Sequence, residues 1–286
     1  MTQDTATNPL NASDETTTHR MLAAFEAAAH RMGGHPGPSE ELIWGWRGRT
    51  ASGPVTIGAT VVWMRLASGR VGEITRTFWR GSVTAEQHIP TGVPRPRMLQ
   101  REEWESQPWR YAAETFEPVT AGPLGDVPAP SDLLLDSPLP DSWWVDLRTA
   151  LDAVALVNTS RFTIGPVWAE QLLTDCFGTD QAPAGPWTTC HGDLHWANLT
   201  GPDLVIFDWE GWGGGPRGYD AASLLVHSLL QPDLAAQVHE KFADLLDGEH
   251  GRYAQQVVVA EQLWRRRDTP EDPLVSALVD HARLLR

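Results

Sequence analysis

The chain has 286 residues, 41% of them hydrophobic, enough to bury one large core or two modest ones. Its formal net charge of −15 disfavours nucleic acid as a partner, because a phosphate backbone needs a basic face, and suits a cationic small molecule as well as plain solubility. There is no apolar run of membrane-spanning length, no basic-then-apolar leader and, with only Cys176 and Cys190, no disulfide framework, so neither a membrane nor an oxidising compartment is expected and the setting reads as cytoplasmic.

Residues 1–17 hold almost no apolar surface and read as a disordered tail. HRMLAAFEAAAHRM, residues 19–32, predicts an amphipathic helix with Leu22, Phe25 and Ala29 on one face, stopped by Gly33 and Gly34. Residues 40–80 read as three antiparallel strands, ELIWGWRGR, PVTIGATVVWMRL and VGEITRTFWR, with turns at Ser52-Gly53 and Ser68-Gly69. The turn from Gly48 to Gly53 is either a glycine loop over phosphates or an ordinary hairpin, and it does not spell G-x-G-x-x-G. WRYAAETFEPV adds another strand, and residues 118–141, rich in Pro, Gly and Asp, form an exposed connection.

The remainder predicts helices. Asp141 or Ser142 caps one in which Trp144, Leu147, Leu151 and Val154 recur at helical spacing. Pro166 opens a second, which Gly178 closes. Four more follow Asp220, and Arg265, Arg266 and Arg267 read as the solvated end of one of them. Most of the fourteen tryptophans belong to packing. Trp196 and Trp212 flank the polar stretch described next and suit either packing or a substrate cleft.

Chemistry-bearing residues concentrate in residues 187–225, WTTCHGDLHWANLTGPDLVIFDWEGWGGGPRGYDAASLL. His191 opens a loop that carries Asp193 and Asn198. Leu199-Thr200 and residues 204–207 then form a short hairpin with Gly201-Pro202-Asp203 as its turn, and the second strand delivers Asp208. Folding the chain back brings Asp193, Asn198 and Asp208 into one volume, an oxygen-rich set suited to Mg²⁺. Alternatives are a metal site of His191, Asp193 and His195, an Asp208 that merely ends a strand, and an Asp220 that merely caps a helix. Cys190, beside His191, is either a reactive thiolate or a small buried residue.

The order His191, Asp193, Asn198, Asp208 follows the kinase pattern H-x-D-x-x-x-x-N with a later metal-binding Asp. HGDLHWANL with VIFDWEGW resembles the aminoglycoside phosphotransferase family, the small-molecule branch of the kinase-like fold. That resemblance implies an α+β, protein-kinase-like two-lobe fold: a small antiparallel-sheet lobe over residues 18–117 on the nucleotide side, and a larger, mainly helical lobe over residues 118–286. It further implies ATP as phosphoryl donor, a small-molecule hydroxyl as acceptor, Asp193 as the base, Asn198 and Asp208 as Mg²⁺ ligands, and Asp220, with His191, as support for the catalytic loop. Adenine would meet the backbone near Thr115 and Phe116.

The chain departs from the kinase pattern in one respect. Its one lysine is Lys241, so no lysine is available in the N-terminal part to hold the α- and β-phosphates. Either Arg76 or Arg80, four apart and therefore on one face of the expected strand, replaces it, with Glu86 as the partner, or both are surface residues of an edge strand. Two classes follow: an ATP-dependent small-molecule phosphotransferase, monomeric or homodimeric, or a nucleotide-binding pseudokinase with a regulatory or scaffold role.

Overall fold

The computed structural model describes residues 15–73, 75–134, 138–178, 181–182 and 184–286; the side chains of Trp46, Arg76 and Thr77 also lie outside this description. The chain divides into two compact units, one holding residues up to Glu86 together with Pro96–Thr120, the other Gln87–Arg95 and Ala121–Arg286.

The first unit is built on α1 (Glu15–Arg31). Residues 15–17, expected in the tail, are helical, and residues 1–14 lie outside the described residues. Met21, Ala24, Phe25, Ala28 and Ala29 are buried. Their spacing of three and four makes one apolar stripe, and Leu22 sits half-buried beside it. That stripe packs on an antiparallel sheet of β1 (Gly34–Pro36), β2 (Ile43–Trp44), β3 (Thr50–Ile57), β4 (Thr60–Arg70), β5 (Met98–Ser106) and β6 (Trp109–Phe116). The order is β1-β3-β4-β6-β5, with β2 also on β3. The pleat sends alternate side chains to opposite faces. Val62, Met64, Leu66 and Ala113 face α1, whereas Ala67 and Ala112 pack against Trp79 on the other side.

Two expectations are corrected here. The expected turns at Ser52-Gly53 and Ser68-Gly69 lie inside β3 and β4, and the chain reverses instead at Gly58-Ala59, between the paired residues Ile57 and Thr60. Gly58 has φ 61° at the first position of this two-residue loop, a conformation glycine adopts without steric cost. The third expected strand, VGEITRTFWR, ends instead in a helix, α2 (Arg76–His88). Thr75 starts it by accepting the backbone N–H of Phe78 at 3.4 Å, an N-cap that outweighs the β-forming Phe-Trp pair.

The second unit is mainly helical: α3 (Asp141–Ala155), α4 (Pro166–Phe177), then β7 (Trp187–Cys190) paired with β8 (Gly213–Pro216), then α5 (Tyr219–Val226), α6 (Pro232–Lys241), α7 (Ala243–Leu246), α8 (Gly248–Arg265) and α9 (Pro273–Leu284). The expected single helix from Leu234 to Gly248 is broken at Phe242, whose φ is −122°. Helix α8 is the centre of this unit, touched by α4, α5, α7 and α9 and buried at every residue from 253 to 262. Its buried amides are used: Gln255 donates to Leu246 O and Gln256 to Leu285 O, both at 2.9 Å, so their burial carries little penalty. No helix among the described residues is long and apolar enough to cross a membrane.

Candidate active site

The polar stretch starts where β7 ends. Beyond Cys190 the loop backbone is pinned by Asp220 in the first turn of α5: its carboxylate accepts the N–H of His191 at 2.7 Å and of Gly192 at 2.9 Å. Asp220 is buried, and burial pushes its carboxyl up, partly opposed by His191 and these two amides. The fully buried His191 ring links the two sides of the hairpin. Its Nδ1 accepts the Asp193 N–H at 3.2 Å, so Nε2 carries the proton and donates to Phe207 O at 2.7 Å.

Asn198 closes a 3₁₀ turn, Trp196–Asn198, and ties three points together. Its Nδ2 donates to Asp193 O at 2.9 Å and lies 3.2 Å from His195 Nε2, while its backbone O accepts the Phe207 N–H at 2.8 Å. Leu199 pairs with Ile206. The Thr200 hydroxyl donates to Asp203 O and accepts the Val205 N–H, closing the turn. Asp208 follows immediately, exposed, with φ 55°. Only Asp208 and Arg47 among the described non-glycine residues have positive φ. Such backbone is uncommon outside glycine, although Asp tolerates it, and it concentrates at functional sites.

Asp193 is half-buried, with its carboxylate 3.6 Å from His195 Nε2. Burial opposes its charge, but His195, Arg265 and His191 outweigh that cost and hold the carboxyl well below the usual carboxylate range. Asp193 is therefore ionised at neutral pH and presents an acceptor. Arg265 reaches this region from α8, paired with Glu261 at 2.8 Å, and Glu261 in turn accepts the Tyr219 hydroxyl. The basic run is only in part a solvated helix end: Arg267 is exposed, whereas Arg266 is buried and holds Asp272 at 2.9 Å.

Trp196 and Trp212 are both fully buried. Trp196 stacks near Trp143 and donates to Ser228 Oγ at 3.0 Å, so its role is packing. Burial pushes the Cys190 thiol up, which removes the reactive-thiolate alternative.

One residue that sequence reasoning missed is Arg161. It stacks on Trp212 and donates to Glu210 O and Trp212 O, each at 3.0 Å, clamping the segment after Asp208. Backbone bonds run alongside, from Thr163 N to Gly214 O and from Gly214 N to Arg161 O. The close approach needs glycine, since a Cβ on Gly213 would stand 2.8 Å from the Phe162 backbone. The Gly-Gly-Gly run is the sequence signal for this packing.

In the first unit, Arg76 and Arg80 lie on α2 rather than on a strand; Arg80 is exposed, and the Arg76 side chain lies outside the described residues. Glu86 bonds Arg97 and the Met98 N–H. Phe116 ends β6, opposite Trp63 on β4 and Met98 on β5. The strand preceding α2 is β4, and it carries Arg65. Directly across from it on β6 is Glu114, 3.3 Å away, and across from Glu114 on β5 is Arg101, also bonded to it.

The sheet order, the helix between β4 and β5 and the loop-and-hairpin of the second unit define a kinase-like fold of the aminoglycoside phosphotransferase type. Residues 126–255 match the sequence model of the APH phosphotransferase enzyme family. The chain superposes on the crystal structure of aminoglycoside phosphotransferase APH(4)-Ia with a TM-score of 0.60, covering 95% of this chain and 98% of that one at 12% identity. A thermostable variant of that protein in ternary complex with ADP and hygromycin B matches with a TM-score of 0.58, over 85% of this chain and 92% of that one at 12% identity. Spectinomycin phosphotransferase APH(9)-Ia, in complex with ADP and spectinomycin, gives 0.51 over 85% and 92%, at 11% identity. No curated protein matches the chain in sequence. The resemblance read from HGDLHWANL and VIFDWEGW is borne out.

Proposed function

We propose that this protein is an ATP-dependent phosphotransferase that moves a γ-phosphoryl group to the hydroxyl of a small molecule. The observation that carries the proposal is the position of Asn198, bonded through its side chain to Asp193 O and through its backbone to Phe207 N, next to Asp208. That one residue ties the backbone of Asp193 to the strand that runs into Asp208.

In this reading Asp193 accepts the proton of the acceptor hydroxyl and orients it. A carboxylate held well below its usual range is a weak base. That is sufficient, because a loose phosphoryl-transfer transition state demands positioning more than proton abstraction. The Asn198 carboxamide and the Asp208 carboxylate would hold Mg²⁺. Among the described residues no group of three or more His, Cys, Asp or Glu side chains is placed to take a metal. Two hard oxygen donors, completed by phosphate oxygens and water, are the set that Mg²⁺ accepts. When bound, that ion supplies neutralisation of the developing phosphate charge. Asp220, His191 and Arg161 position the loop. In the first unit, Arg65 on β4 joins Arg76 and Arg80 on α2 as the arginines offered for the part of the absent lysine. The net charge of −15 favours an amine-bearing acceptor.

A second reading, nucleotide binding without transfer, is favoured by the lack of that lysine. ADP release with a panel of amine-bearing and sugar alcohols, measured on the wild type, Asp193→Asn and Asp208→Ala, separates the two. Asp193→Asn is expected to keep nucleotide affinity and lose on the order of 10²–10⁴ in turnover; full turnover would remove Asp193 from its role. Mg²⁺-dependent ATP binding with no transfer to any acceptor would favour the second reading.

A further inference from the structure

Cations gather on the sheet face opposite α1, against the balance of a chain whose formal charge is −15. Arg65 and Arg101 share Glu114, and Arg101 and Arg110 share Glu103. Arg80 is close enough to disfavour the charge of Arg101. Arg49 adds a further guanidinium. It follows the Gly45–Gly48 reversal, in which Gly48 N–H bonds Gly45 O, and its own backbone O accepts the Ser68 N–H at 2.9 Å. Arg49 Cζ stands 4.2 Å from the centre of the Phe78 ring, and Arg65 Cζ 5.7 Å from the centre of the same ring. Among the described residues, Arg49 has no carboxylate within ion-pair distance. Burial and the charge of Arg65 both push the Arg49 guanidinium down.

We infer that Arg49 and Arg65, both beside the Phe78 ring, form a two-guanidinium site for a polyphosphate chain, with Arg49 supplied by the turn between β2 and β3. Two like charges brought together at a partly buried position are unfavourable to each other, and an anion between them reverses the sign of that interaction. Guanidinium forks pair bidentately with phosphate oxygens, and both guanidinium carbons lie within cation–π range of Phe78. The turn that was expected either to cover phosphates through backbone or to be an ordinary hairpin contributes a side chain instead. Assigning the anion to the phosphates of a nucleotide rests on the proposed phosphotransferase function; the anion site itself does not.

The test is calorimetry on the full chain with ATP plus Mg²⁺, inorganic tripolyphosphate, orthophosphate and adenosine, on the wild type, Arg49→Gln and Arg49→Lys. Arg49→Gln is expected to weaken tripolyphosphate and ATP at least tenfold and leave adenosine unchanged, with Arg49→Lys intermediate; the Lys variant and thermal melts of both report any loss of folding. Tripolyphosphate and ATP binding to Arg49→Gln as to wild type overturns the inference while leaving the phosphotransferase proposal standing. Arg49-dependent tripolyphosphate binding in a protein that takes no ATP keeps the site and overturns the phosphotransferase proposal. Orthophosphate bound as tightly as tripolyphosphate, and equally dependent on Arg49, overturns the polyphosphate assignment. Absence of binding by either polyphosphate overturns both.

Discussion

The carboxylate of Asp220 accepts the backbone N–H of His191 at 2.7 Å, across 29 residues of sequence. A second bond to Gly192 makes the pair a two-point anchor between helix α5 and the loop that carries Asp193. Asp220→Asn leaves one carbonyl oxygen and turns an amide donor toward a backbone donor. The expected cost is about 1–3 kcal/mol of stability, accompanied by reduced turnover. Urea melts of the two proteins check the first part; equal midpoints would show that the anchor carries no load.

Arg161 acts on the other side of the hairpin, through the carbonyls of Glu210 and Trp212. Arg161→Met frees the segment that follows Asp208. The expected result is a several-fold higher Mg²⁺ concentration for half-maximal ADP release, with turnover at saturating Mg²⁺ largely kept. A fall in turnover alone, at unchanged Mg²⁺ dependence, would argue against a link from Arg161 to Asp208.

Glu114 sits between Arg65 and Arg101 with 2% of its side chain exposed, and each arginine shows 12%. Removing it leaves two buried cations facing one another. Glu114→Ala is expected to cost about 3–5 kcal/mol, read as a lowered melting temperature in differential scanning calorimetry. A loss below about 1 kcal/mol, the range of a surface ion pair, would contradict this account.

His227 is buried, its ring Nδ1 bonded to Ser223 O at 2.8 Å. Burial first, then His195 and Arg266, push its pKa from 6.5 down to about 3. Between those values the unfolded chain binds a proton that the folded chain does not. Stability from this group is therefore complete above pH 6.5 and lost as the pH falls toward 3, by up to about 1.4 kcal/mol per pH unit. Asp193, held low, loses its own contribution further into acid. His227→Asn keeps a donor for Ser223 O and removes the titration. Denaturant melts at pH 6 and pH 4 should show a smaller loss in the variant, and parallel losses would remove His227 from the account.

Local sequence determined what local physics controls. The apolar stripe through Phe25 and Ala29, the proline start and glycine end of α4 and the short hairpin around Gly201 to Asp203 each depend on residues within a few positions of one another. The order His191, Asp193, Asn198, Asp208 was legible for the same reason, since one loop and one hairpin carry all four. The tertiary structure decided the rest. The Thr75 cap lies within VGEITRTFWR itself, but Trp79 packing against Ala67 and Ala112 supplies partners a local pattern does not contain. Which arginine lies across from Glu114 depends on strand register, set by pairing between β4, β5 and β6. Arg161 meets Trp212 across 51 residues, and Arg265 influences Asp193 from a helix 72 positions further along the chain. Long-range juxtapositions are fixed by how cores close, and it is there that the charges of this site were set.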